Sequence, residues 1–231
     1  MTRFKKVILS LLLPLFIGGC LSQSRSSTWR ADSGKVKILS TIAQIGDLVE
    51  EIGGERVDSL VLIQGDLDPH SYEIVKGDAE KIGQADLIFY NGLGLEHGAS
   101  LFSMLRSAPK ATAVGDQIRH VHPEKILHKE GAVDPHIWMD ISLWKEGIDP
   151  IVQALSEKDP QGAPYYQERG LLLKEKMEQA HADIRQLMQN IPSKQRYLVT
   201  SHDAFHYFTR SYLADPGEAD WEGRFAAPEG L

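Results

Sequence analysis

VKILSTIAQIGDLVEEIGGERVDSLVLI, residues 36–63, sets the reading of the whole chain. VKILS (36–40) has strand composition, and IAQIGDLVEEIG (42–53) has the spacing of an amphipathic helix that stops at Gly53–Gly54. RVDSLVLI (56–63) then reads as a second strand. Strand, helix and strand in so short a stretch argue for parallel pairing with the helix on one face of a sheet.

The alternation continues. KGDAEKIGQ (76–84) and the segment around LFSMLR (101–106) read as helices, ADLIFY (85–90) and ATAV (111–114) as strands, with NGLGLE (91–96) a glycine-bearing turn between them. Residues 115–135 read as a long polar loop, and ISLWKEGIDPIVQALS (141–156) as one helix. The expected fold class is α/β, a mostly parallel sheet with helices on its faces. Ligands of such sheets bind beyond the carboxyl ends of the strands.

A basic start with Arg3, Lys5 and Lys6, the apolar run VILSLLLPLFI (7–17) and GGC (18–20) read as a secretory signal over residues 1–20. Cys20 is the only cysteine, so an internal disulfide is excluded. Small residues before it and SQSRSS after it are similar to a lipoprotein signal, which makes Cys20 the expected lipid attachment point and residues 21–35 a polar tether. The formal charge of -7 becomes -10 once those three cations leave with the leader. An acidic exported chain lacks the basic footprint that nucleic-acid binding needs. The expected location is the periplasm or cell envelope.

One tripeptide occurs twice. Asp68–Pro69–His70 follows the strand that ends near residue 63, and Asp134–Pro135–His136 precedes the helix candidate at 141. Proline fixes the local backbone and holds the preceding Asp extended, so each turn presents the next side chain in one direction. His202, at the junction of RYLVT (196–200) with SHDAFHYFTRSY (201–212), occupies a comparable place. Three neutral imidazoles and one carboxylate make a reasonable first shell for zinc, iron or, less strongly, manganese.

Asp68 and Asp134 either cap their own turns or accept the second imidazole proton of a ligating histidine; the turn role is preferred. His206 shares a helix face with His202 but reads as a half-buried residue beside Phe205 and Phe208. His120, His122 and His128 form a loose cluster, while His97 and His181 read as surface residues. There is no GxSxG, HExxH or phosphate-cradling glycine loop, and nothing assigns a general base. Catalytic residues are therefore not expected, and the chain is not read as an enzyme.

From Pro164 to Ile191, the apolar residues Leu173, Met177, Ala180, Ile184, Leu187 and Ile191 recur at helical spacing, bounded by Pro164 and Pro192. One long helix is expected there, a strut with its apolar stripe packed on both lobes. Ser201 or Asp203 is the expected cap of the next helix. ADPGEADWEGRFAAPEGL (214–231) reads as loop. A second lobe with one confident strand and one helix is expected to hold His202 poorly.

LDPHSYE (67–73), DLIFYNGLGLE (86–96), VDPHIWMD (133–140), TSHDAFHYF (200–208) and APEGL (227–231) together resemble the metal-binding lipoproteins of bacterial ABC importers for zinc, manganese and iron, most of all their chlamydial branch. The resemblance runs from about Lys35 to Leu231. It implies an N-terminal α/β lobe at 36–160, a linking helix at 161–192, the start of a second lobe at 193–231, and metal in the cleft. It places the metal ligands on His70, His136 and His202, with a fourth, a carboxylate, from a later loop. The chain reaches APEGL before any match to that carboxylate, and so reads as C-terminally truncated. The implied partners are the metal ion and an ABC permease, with the protein a monomer. A surface adhesion or structural lipoprotein keeping the fold is the alternative, and a metallohydrolase the remote one.

Overall fold

The computed structural model describes Trp29, residues 33–129 and residues 131–228. The run read as a secretory leader, Cys20 and most of the run read as a tether lie outside the described residues, as does the end of APEGL. Strand β1 (Val36–Ser40), helix α1 (Ala43–Gly53) and strand β2 (Val57–Val61) form where the sequence places them. β1 pairs with β2 in parallel from Val36 opposite Val57 to Ser40 opposite Val61. Helix α1 buries Ile45, Leu48, Val49 and Ile52, one stripe at spacings of three and four, against the sheet. Gly54 ends it with φ of +50°, a conformation that costs any side chain.

Helix α2 (Asp78–Gln84), strand β3 (Leu87–Tyr90), helix α3 (Ala99–Ser107) and strand β4 (Ala111–Ala113) complete the sheet, whose order is β2-β1-β3-β4 with every pairing parallel. Ile38, Leu39, Ile88 and Phe89 in the two central strands are fully buried, as expected for a sheet covered on both faces.

Two stretches depart from the sequence reading. Residues 115–135 are not one loop. Helix α4 (Val114–Val121) buries Val114 and Ile118, and a short antiparallel hairpin, β5 (His128–Lys129) with β6 (Ala132–Val133), leads into the second Asp-Pro-His. The candidate helix 141–156 is divided. Helix α5 (Ile141–Trp144) starts on Asp140, whose side chain accepts the Ser142 N–H. A tighter turn over Lys145–Gly147 follows, then helix α6 (Ile148–Lys158). Gly147 explains the break: a Cβ there would lie 2.8 Å from Val114 Cγ1, so the turn is where α4 presses against the backbone.

Helix α7 (Ala163–Gln189) is one unbroken helix of about 40 Å. It packs on α1, α5 and α6, and Leu173 and Met177 sit against the core. The expected two-sided packing of its stripe holds only for the first half, because Leu187 and Ile191 are exposed. Its start is tied down by Asp159 Oδ2, which accepts from the Tyr166 hydroxyl at 2.8 Å and from Arg56 Nε and Nη2 at 2.9 and 2.6 Å.

Beyond α7, strand β7 (Leu198–Val199) pairs in parallel with strand β8 (Phe225–Ala226), so the segment read as loop carries a strand. Helix α8 (His206–Phe208) continues into a wide turn over Thr209–Leu213. Its N-cap is Phe205, and neither Ser201 nor Asp203 caps it. Asp203 pairs with Lys129 instead. Tyr207 in this segment is fully buried in the same hydrophobic cluster as β1, β3 and α1. Its hydroxyl accepts the Leu127 N–H at 2.9 Å and donates to the Asp134 carbonyl at 3.0 Å. The segment after His202 is thus joined to the body that carries the four-stranded sheet, where loose support was expected.

Candidate metal centre

The two Asp-Pro-His turns are built alike at the backbone. Asp68 Oδ1 accepts the His70 N–H at 2.9 Å, and Asp134 Oδ1 accepts the His136 N–H at 3.0 Å. They then diverge. Asp68 turns its other oxygen to the Ser71 hydroxyl at 2.7 Å, which is the turn-capping role. Asp134 Oδ1 also lies 2.8 Å from His136 Nδ1, so the preferred turn role is only part of its work. A carboxylate oxygen can only accept, so Nδ1 carries the hydrogen and Nε2 is the nitrogen left to accept or to ligate.

His70 Nε2 and His136 Nε2 face each other at 3.2 Å. One nitrogen from each of His70, His136 and His202 lies within 4.8 Å of the others, and among the described residues this is the one such group of three or more His, Cys, Asp or Glu. The ring centres are 5.2 Å apart for His70–His136 and His136–His202, and 5.8 Å for His70–His202. Zinc–nitrogen bonds of about 2.0–2.1 Å in a tetrahedron put neighbouring donors roughly 3.3 Å apart, close to the His70–His136 separation. His136 is buried, His70 half-buried and His202 exposed, so the group opens outward. Burial, then the neighbouring His136, holds the His70 imidazole down to about 4, so it stays neutral near pH 7.

The NGLGLE turn, which the sequence left without a role, splints this site. Glu96 is buried; its Oε1 accepts from the Thr41 hydroxyl at 2.6 Å and the Asn91 N–H at 2.8 Å, and its Oε2 accepts from the Gly92 N–H at 3.0 Å. Burial raises the Glu96 carboxyl above its ordinary value, against the pull of these donors. Asn91 Nδ2 in turn donates to the Pro135 carbonyl at 3.0 Å, fixing the second tripeptide. On the far side the Trp138 ring stands edge-on to His136, with centres 5.4 Å apart.

Other histidines fall elsewhere. His122 lies near Glu124 and Glu146, and with His120 and His128 stays out of the three-nitrogen group. The His206 ring packs edge-on against Phe225 with centres 4.9 Å apart, and its Nδ1 is 3.6 Å from Asp134 Oδ2. His181 is not a surface residue: it is half-buried, with Nδ1 3.0 Å from the Tyr212 hydroxyl. His97 is exposed as expected, but its ring stands 5.6 Å from that of His70, a proximity that sequence spacing does not reveal.

The model of the family "Zinc-uptake complex component A periplasmic", ZnuA, matches residues 38–220. The chain belongs to the ZnuA family.

Its members are solute-binding components of metal uptake systems, not enzymes. Metal-binding protein YtgA of Chlamydia trachomatis is 39% identical over 236 residues, spanning 100% of this chain and 72% of the relative. The crystal structure of Fe(III)-bound YtgA from that organism superposes with a TM-score of 0.82 at 40% identity, covering 85% of this chain and 70% of that one. The periplasmic zinc-binding protein TroA from Treponema pallidum gives a TM-score of 0.72 at 35% identity, covering 78% of this chain and 64% of that one. Both structures share the α/β architecture described above, and the chain spans about two thirds of their length. Among its described residues no helix is long and apolar enough to cross a membrane.

Proposed function

We propose that this chain captures a transition-metal ion outside the cytoplasmic membrane on His70, His136 and His202 and delivers it to an ABC permease. The observation that carries the reading is the convergence of three imidazole nitrogens within 4.8 Å, one of them with its tautomer fixed by Asp134. Residues 36–160 form the capturing lobe, 161–192 the linking helix and 193–231 the start of the second lobe. The protein acts as a monomer held at the envelope through Cys20.

Neutral nitrogen donors favour zinc over manganese at equal geometry. The named relatives include a zinc-binding and an Fe(III)-bound protein, so kinship alone does not choose the ion. Competition titration with Zn²⁺, Mn²⁺, Fe²⁺ and Fe³⁺ tests the reading. The expected result is saturable binding of one ion, tighter for Zn²⁺ than for Mn²⁺. No saturable binding of any of the four would overturn it.

A further inference from the structure

His97 stands beside the three-nitrogen group without belonging to it. Its Nδ1 lies 3.1 Å from the Gly94 carbonyl oxygen. A carbonyl only accepts, so Nδ1 carries the hydrogen, and Nε2 of the neutral ring holds a lone pair that this contact leaves unused. Backbone-anchored Nδ1 with available Nε2 is the arrangement that metal-ligating imidazoles use.

The support under His97 is rigid. Gly92, Leu93 and Gly94 all have positive φ, at 72°, 55° and 85°, in a turn folded around the buried Glu96 carboxylate. The His97 N–H donates to the Leu95 carbonyl at 3.1 Å. Gly98, next in the chain, passes so near the Tyr72 carbonyl that a Cβ there would lie 2.0 Å from its oxygen. The backbone that carries the ring is therefore closely packed, and the ring itself stands exposed beside His70.

That place is within reach of His70. Their ring centres are 5.6 Å apart, inside the range of 5.2–5.8 Å among the three site histidines. Two imidazoles bound through Nε2 to one ion at about 2.0–2.1 Å have ring centres roughly 5–6 Å apart. Among the described residues His97 is outside the group of three nitrogens within 4.8 Å, and its ring neighbour in that group is His70.

We infer that His97 and His70 form an outer two-imidazole station for a divalent transition ion, which then passes to His136 and His202 with His70 as the common ligand. The inference rests on the metal-capture reading above. An incoming hydrated ion exchanges one water for the exposed His97 Nε2 and a second for His70. It then leaves His97 as the two inner nitrogens replace it. Because the station is occupied only in passage, it lowers the barrier in both directions and leaves the end states alone.

Stopped-flow mixing of Zn²⁺ with the full chain, and release into excess chelator, test this with His97→Ala. Association and release are expected to slow together by about threefold or more, with the dissociation constant moving less than about twofold. A second pair of variants isolates the station. His136→Ala should keep weak Zn²⁺ binding on His70 and His97, and adding His97→Ala should weaken it by about tenfold. Unchanged rates in His97→Ala, or an affinity loss carried by release alone, would overturn the station while leaving the capture reading intact. No saturable Zn²⁺ binding by the unaltered chain overturns both.

Discussion

Asp134 Oδ1 lies 3.0 Å from the backbone nitrogen of His136 and 2.8 Å from its ring Nδ1, so one oxygen holds both the turn and the imidazole. Asp68, at the same place in the first tripeptide, holds only the turn. Asp134→Asn should therefore lower Zn²⁺ affinity by about 10- to 100-fold, the usual cost of losing a carboxylate behind a ligating histidine. Asp68→Asn should cost far less. Titration against a chromophoric chelator measures both, and equal losses would count against the asymmetry.

The ligand set makes a sharper demand. His70→Ala and His136→Ala each remove a proposed metal bond and should weaken binding by more than about 100-fold, beyond the range for residues that act only through a ligand. His122→Ala, whose ring sits between Glu124 and Glu146, should leave affinity nearly unchanged. His206→Ala should fall well short of the first two. A loss at His122 comparable to that at His70 would mean the shell has been wrongly chosen.

Tyr207→Phe removes a fully buried hydroxyl that serves the Leu127 N–H and the Asp134 carbonyl. Leaving buried groups unpaired costs about 1–3 kcal/mol, which urea unfolding would register. Hydrogen exchange should find residues 206–213 protected along with the first lobe. Fast exchange there, with the sheet protected, would show that the segment is not bolted on.

Asp78 is one of the carboxyls that make stability fall in acid. Burial pushes its carboxyl up, but the Val75 N–H, the Tyr72 hydroxyl and the Lys81 ammonium together outweigh that and hold it below its ordinary value of 3.8. A carboxyl lowered by folding contributes stability in full above its unfolded value, and that stability is lost as pH falls through the folded one. Asp78→Asn should be less stable than the parent at pH 7 by about 1–3 kcal/mol. The gap should close in the acid range below 3.8. Denaturant midpoints at several pH values would reveal a constant gap if the argument is wrong.

Much of this was readable from residues. The β1–α1–β2 unit carries its periodicity openly, and the doubled tripeptide together with His202 marks the three nitrogens that the fold brings together. What escaped were features without a period of their own. Strands β5, β6 and β8 have two residues each, too few for alternation to show, whereas β7 lies inside the run RYLVT that the sequence marks as a strand. Helix α4 hides in a polar run because only Val114 and Ile118 of its side chains reach the core with so little apolar company. The break before α6 depends on Val114 pressing on Gly147 from a distant part of the chain. His97 failed for the same reason: its nearness to His70 is made by the Glu96 turn and by nothing in the spacing.

The Tyr207 hydroxyl carries one more meaning. With it, the segment that begins at His202 is tied into the same packed body as His70 and His136. Little conformational freedom is left to surrender on capture, and such pre-assembly raises affinity without adding a contact. With His202 on the exposed side, the group encloses an ion only in part, and choice among ions falls to the softness of its nitrogen donors and to whichever metal its surroundings supply.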